Sequence, residues 1–465
     1  MDFPNPNVVP GSSGGVYKFI KATLTTPRTT YGIDLIPYIT DFEVFEHLDK
    51  PYVTGKLIII DTQSIVSAFD IIGGELISIE IESGSGTNIN IRKNFYITEI
   101  EFLKKLNQET ELTGFHLIEE TAYISNLITI SKSYKGTSHD IITQIAQEYL
   151  NIPIFTNTNN STATGVPLDY QKTFKALIPY LNPIEAMSWI KNKATNKNGM
   201  PFFLFSSFSD NAYPLHFEDL GSLMKQEVLN TELPYCIWNG GNYQPNPKSK
   251  TAQVLHHEFG NVNSLFKLIK LGSIGADYNY IDTFTGTTHK FKLDIDKNVL
   301  KNYLDEVYEK TTINEYKGTL PFDSRLKHNT RSYNELSSKV FSKVIASGAF
   351  NIGAGSSISY DEEALPNDYN KKATSRALNL LLSTAPLNII INGNGFINGD
   401  TNTCVGRKIR IECEKPAMNG GRSFKRNLDP KRSGDFLIFS ARHMFKAEGN
   451  YHISATCVKI GNEAV

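Results

Sequence analysis

Two stretches at opposite ends of this chain carry the same alternating runs in the same order, and a period-two pattern repeated in that way points to β-strands. In the C-terminal stretch, Leu387-Asn-Ile-Ile-Ile-Asn-Gly places Leu387, Ile389 and Ile391 on one face, and Lys408-Ile-Arg-Ile-Glu-Cys alternates polar and apolar residues throughout. Two further runs start at Asp435 and Tyr451, and Glu448-Gly449-Asn450 between them has the composition of a hairpin turn. In the N-terminal stretch, Gly74-Glu-Leu-Ile-Ser-Ile-Glu-Ile-Glu lines up with Gly406-Arg-Lys-Ile-Arg-Ile-Glu-Cys-Glu, pairing Ile77 with Ile409 and Ile79 with Ile411. Asn94-Phe-Tyr-Ile then matches Asp435-Phe-Leu-Ile, and the run from Glu111 stands where the run from Tyr451 stands. The ordered match predicts one strand module used twice.

The chain of 465 residues is too long for one hydrophobic core and fits about three domains. Hydrophobic residues at 40% and charged residues at 20% exclude wholesale disorder. A net charge of −1 supplies no overall attraction to nucleic acid or an anionic membrane. Cys236, Cys404, Cys413 and Cys457 show no CxxC spacing and read as reduced thiols of a protein assembled in the cytosol. Met1-Asp-Phe-Pro-Asn-Pro-Asn lacks the basic and apolar regions of a signal peptide, and no apolar run reaches bilayer length, so no membrane anchor is expected.

Taken in order, residues 1–15 read as a flexible arm and 16–125 as a first small antiparallel β-barrel. Its strands are predicted near Tyr17 to Thr25, Ile39 to Phe45, Tyr52 to Asp61, Glu75 to Glu82, Asn94 to Leu103 and Glu111 to Ile118, with a short helix from Ser64 closed by Gly73-Gly74. Residues 126–245 read as an α+β domain. Ser138 is the expected cap of a helix with the stripe Ile141, Ile142, Ile145, Ala146 and Leu150, and Asn182-Pro183 opens a second helix. Strands at 246–295 are expected to join the second barrel, 296–380 to be an insertion with helices, including Arg331 to Ile345 and Asp368 to Leu382, and 381–462 to be the second barrel. The fold class is mainly β with α+β insertions: two similar small antiparallel β-barrels plus a helix-containing α+β module.

The residues also carry a family likeness. Phe42-Glu-Val-Phe-Glu-His-Leu-Asp-Lys-Pro-Tyr-Val-Thr-Gly-Lys-Leu-Ile-Ile-Ile-Asp and Asp70-Ile-Ile-Gly-Gly-Glu-Leu-Ile-Ser-Ile form its first piece; its second runs from Arg376 through Leu387, Gly406, Ser433-Gly-Asp-Phe-Leu-Ile, His443 and Tyr451 to Val458. The chain resembles the central baseplate hub protein of contractile-tailed (T4-like) bacteriophages and, more distantly, the hub part of type VI secretion spike proteins. The resemblance implies a structural homotrimer whose six barrels surround a channel. It implies a symmetry adaptor between a hexameric tail tube protein and a trimeric central spike protein, with baseplate wedge proteins as further partners and DNA passing through without specific binding. The implied location is the virion, after assembly in the host cytoplasm. The alternatives are a tail-tip cell-wall hydrolase and a carbohydrate-binding tail module, which peptidoglycan turnover and glycan binding would reveal.

No residue pattern identifies an enzyme, a cofactor site or a metal site, so no catalytic, cofactor-binding or metal-binding residue is expected. His256-His257-Glu258 lacks the HExxH spacing that brings two imidazoles to one helix face. Cys404, Cys413 and Cys457, with His443 and His452, all fall in the second barrel; Cys413 and Cys457 lie on strands, where small buried thiols are the expected outcome and a zinc or iron site is the alternative. Gly393-Asn-Gly-Phe-Ile-Asn-Gly follows no βαβ pattern and reads as a turn between strands. Ser in Gly353-Ala-Gly-Ser-Ser lacks a partner that spacing identifies. One local basic cluster, Arg422, Lys425, Arg426, Lys431 and Arg432, reads as a solvated loop or as a clasp on an acidic partner surface.

Overall fold

The computed structural model describes residues 15–28, 31–83, 90–156, 174–211, 214–237, 252–260, 265–283, 286–308, 327–335, 337–345, 369–383, 386–393, 396, 403–415, 428–429, 432–447 and 449–460. A first strand unit consists of Gly15–Thr25, Ile39–His47, Thr54–Asp61, Leu76–Ser83, Asn90–Lys105 and Glu111–Glu119. Numbered one to six along the chain, these strands lie side by side in the order 1-4-5-6-3-2. A second unit consists of Tyr235–Ile237, His256–Phe259, Leu387–Asn392, Lys408–Cys413, Gly434–Lys446 and Asn450–Val458. Its strands follow the same order, 1-4-5-6-3-2. The units differ at one pairing, since strand one runs antiparallel to strand four in the first and parallel to it in the second.

Both units form because alternate residues are apolar and turn to a common interior. Ile77, Ile409, Ile79 and Ile411, the residues matched between the two stretches, are all buried. The units are also hydrogen-bonded to each other. Residues 440–446 of the second run antiparallel along 41–47 of the first, while Gly15 and Val16 meet Tyr451 and Asn450. The hairpin of Gly434–Lys446 and Asn450–Val458 thereby joins the edge strands of the first unit and belongs to two circuits of pairing. The second circuit is completed where the Cys236 amide donates to the Ala252 carbonyl (2.9 Å) and the Val254 amide to the Cys236 carbonyl (3.1 Å). At the hairpin tip Gly449 takes φ 76°, a conformation that favours glycine, and its amide donates to Lys446 O at 2.9 Å.

A second apolar cluster fills the α+β module. Helix Ser138–Ile145 presents Ile141, Ile142 and Ile145 to it, and helix Pro183–Lys191 contributes Ile184, Met187 and Ile190. These helices pack near the sheet of Phe202–Ser206, Leu215–Asp219 and Ile154–Phe155. The first is capped by Thr137, not Ser138: the Thr137 hydroxyl accepts from Asp140 N while the Asp140 carboxylate accepts from Thr137 N, so the reciprocal cap falls one residue earlier. Asn182 and Glu185 form the same reciprocal cap on the second.

The stretch 246–295 divides. His256–Phe259 pairs with Leu387–Asn392, whereas Ala276–Asp282 and Thr288–Lys292 form a separate sheet with Lys339–Ile345. The helix expected over Arg331 to Ile345 is absent. Arg331–Ser332 is a short strand, Tyr333–Glu335 a single tight turn, and Lys339–Ile345 a strand parallel to Ala276–Asp282. The β-branched residues Val340 and Val344 suit that ladder, which offers backbone partners from a remote strand that local propensity does not register. The expected helix before Leu387 is present as Tyr369–Leu382. No helix among the described residues is long and apolar enough to cross a membrane.

Candidate functional site

Buried polar residues converge where the two circuits and the α+β module meet. Along the shared ladder, Glu46 stands opposite Ala441 and His443 opposite Val44. Positions two apart share a face, so the Glu46 and His443 side chains are diagonal neighbours on the inward side. Tyr451 bears the same diagonal relation to His443 across the hairpin, since it pairs with Phe445. Its hydroxyl and His443 Nδ1 lie 2.7 Å apart. Cys404 reaches this place from a turn ahead of Lys408–Cys413, in which Arg407 N donates to Cys404 O and Gly406 N to Ile438 O. Gly406 has φ 83°, and a Cβ there would stand 3.0 Å from the Phe205 ring, so the turn needs glycine.

The donor atoms of Glu46, Cys404 and His443 all lie within 4.8 Å of one another, and all three side chains are buried. The Glu46 carboxylate accepts from Phe208 N and, at 3.4 Å, from Val405 N. Burial by itself would raise the Glu46 carboxyl, but His443 and these amides outweigh it and hold the group below its ordinary value. Burial pushes the Cys404 thiol well up, and Glu46 adds to the effect. The Tyr451 phenol is raised by burial first and then by Cys404 and Glu46. The floor is aromatic: Phe445 stacks on Tyr451 at 4.4 Å between centroids, and Phe208 lies 5.4 Å from His443.

A second buried carboxylate, Glu119, ties the first strand unit to the α+β module. It accepts from Val53 N (3.0 Å) and Ser206 Oγ (2.8 Å), and its other oxygen is 3.3 Å from Lys93 Nζ.

The other residues singled out in the sequence are dispersed. His256, His257 and Glu258 alternate along an exposed to half-buried strand, and burial lowers the His257 imidazole. Cys413 and Cys457 are buried free thiols; Cys236 Sγ faces Pro234 O at 3.4 Å. His452 is buried, with neither ring nitrogen hydrogen-bonded among the described residues. Phe396 N donates to Gly393 O at 3.0 Å, the turn expected there. Gly353 to Ser357 lie outside the described residues, as do Arg422, Lys425, Arg426 and Lys431. Arg432 is described, 3.7 Å from Asp429 and 5.1 Å from the centre of the Phe259 ring.

Glu46 was not singled out from the sequence. Its signal was nevertheless there: in Phe42-Glu-Val-Phe-Glu it shares the inward parity of Phe42 and Val44, an acid where the pattern calls for an apolar residue.

With this architecture in view, comparison with solved structures finds a tail protein from Neisseria meningitidis MC58, with 9% identity over 96% of this chain and 97% of that one and a TM-score of 0.52. This chain shares the fold of that tail protein. The prophage MuSo2 43 kDa tail protein of Shewanella oneidensis is also similar, with 9% identity over 94% of this chain and 98% of that one at a TM-score of 0.46. An E. coli component of the type VI secretion system matches with 8% identity over 97% of this chain and 77% of that one, at a TM-score of 0.39. No protein-family model and no curated protein matches the sequence of this chain.

Proposed function

We propose that this protein is the structural hub of a contractile phage tail: a homotrimer that adapts the hexameric tail tube to a trimeric central spike and leaves a channel for DNA. The observation that carries the reading is the order 1-4-5-6-3-2 found twice in one chain. Two equivalent strand units per chain give a trimer six similar surfaces, and a closed ring needs such repeated complementary contacts. The likeness to a solved tail protein supports a tail component. On this reading the protein has no enzymatic role, and its partners are the tube protein, the spike protein and baseplate wedge proteins, within a virion assembled in host cytoplasm. Arg422, Lys425, Arg426, Lys431 and Arg432 would meet an acidic patch of the tube or spike.

The test is the mass and symmetry of the assembled particle. A trimer with near six-fold placement of Leu76–Ser83 and Lys408–Cys413, burying more than roughly 1,000 Å² per contact, is the expected outcome. A stable monomer at the concentrations found in assembly would remove the reading.

A further inference from the structure

We propose that Glu46, Cys404 and His443 bind one divalent transition ion of the zinc class, pinning the two strand circuits together. The inference is independent of the hub reading and departs from the sequence-based expectation of no metal, because the carboxylate that completes the set comes from the other strand unit.

Three features of the geometry point to an ion. First, the donor set is a carboxylate oxygen, a thiol sulfur and an imidazole nitrogen, the ligand types that zinc accepts in tetrahedral sites. Second, His443 Nε2 is buried without a hydrogen-bond partner, and the nearest carboxylate oxygen, Glu46 Oε2, stands 3.6 Å away. That distance is too long for a hydrogen bond, yet it falls within the roughly 3.3–3.8 Å between ligand atoms that tetrahedral metal bonds of about 2.0–2.3 Å require. Third, the opposite ring nitrogen, Nδ1, already meets the Tyr451 hydroxyl at 2.7 Å. A metal-bound histidine characteristically has its other nitrogen fixed in this way, which sets ring orientation and tautomer.

Charge and placement agree with the geometry. A divalent ion with one carboxylate and one thiolate is neutral overall, which suits a buried site better than any uncompensated charge. The thiol proton leaves to solvent as the metal–sulfur bond forms. Glu46 retains its two backbone donors, Phe208 N and Val405 N, so the carboxylate is oriented beforehand. Glu46 belongs to Ile39–His47 of the first unit, and Cys404 and His443 to segments of the second. The fourth position is left to water. Bonds from one ion therefore add to the backbone ladder, the stacking of Phe42 on Phe445 and the Arg442–Glu43 ion pair that already join these elements.

The experiment uses the full chain, purified without chelator, for metal analysis, followed by chelator stripping and titration with Co2+. One equivalent of zinc-class metal per chain is expected, together with a thiolate-to-cobalt charge-transfer band. Cys404→Ser should abolish the band, whereas Cys457→Ser, equally buried but outside the group, should keep it. Tyr451→Phe should weaken metal binding by about 10–100-fold without removing the band, as loss of an outer-shell hydrogen bond does. A wild-type chain that is metal-free as isolated and shows no charge-transfer band at saturating cobalt overturns the proposal; so does a band that survives Cys404→Ser. If Cys404→Ser fails to fold, the wild-type stoichiometry and spectrum decide alone.

Discussion

His216 shows how a single buried side chain can set the pH response of this fold. It is 3% exposed, with Nε2 3.3 Å from Asp210 and Nδ1 3.6 Å from Glu218, and its ring stacks on Phe205. Burial alone would lower its pKa, but the two carboxylates outweigh burial and raise it above the ordinary value of 6.5. A group held more basic in the folded state stabilises that state fully below its unfolded pKa and loses the contribution as pH rises through the folded one. Thermal stability should therefore fall with pH from about 6.5 upward, and His216→Gln should flatten that part of the profile. Equal slopes for the two proteins over that range would exclude this role. None of this was legible in the sequence: the carboxylate of Glu218 shares a strand with His216, but Asp210 arrives through the loop between two paired strands. Glu46, by contrast, was legible as an acid on an apolar parity, while its partners were not.

At the level of elements, caps and alternation carry the local instructions. Asn182 Oδ1 accepts from Glu185 N at 2.8 Å and from Ser125 Oγ at 3.1 Å, so it both starts its helix and fastens it to the helix Glu120–Asn126. Asn182→Ala should cost about 1 kcal/mol or somewhat more, measured by denaturant unfolding, while Asn182→Asp should retain most of the stability. A neutral Asn182→Ala would mean that packing of Met187 and Ile190 alone defines this helix. The sequence showed this element because capping residues act within one turn. It did not show Lys339–Ile345, whose strand conformation depends on hydrogen bonds from Ala276–Asp282, some sixty residues earlier in the chain.

For the whole molecule, the hub reading makes a demand on the channel. On that reading DNA moves past the protein, so channel-facing side chains should be polar or acidic, with basic groups paired, because each phosphate bound retards passage and adds salt dependence. The purified assembly should bind duplex DNA weakly with a shallow salt slope; tight, strongly salt-sensitive binding would count against such a lining. The sequence by itself determined the strands of the first unit, the last four of the second and the order in which three of them recur, since a period of two is written into neighbouring residues and needs no distant partner to be read. Only the tertiary structure decided that the last hairpin belongs to both circuits, that Tyr235–Ile237 and His256–Phe259 complete the second, and that Glu46 meets Cys404 and His443. Those outcomes rest on backbone pairing and burial between segments hundreds of residues apart, and an alternating pattern states which face a residue takes but not which strand will lie beside it.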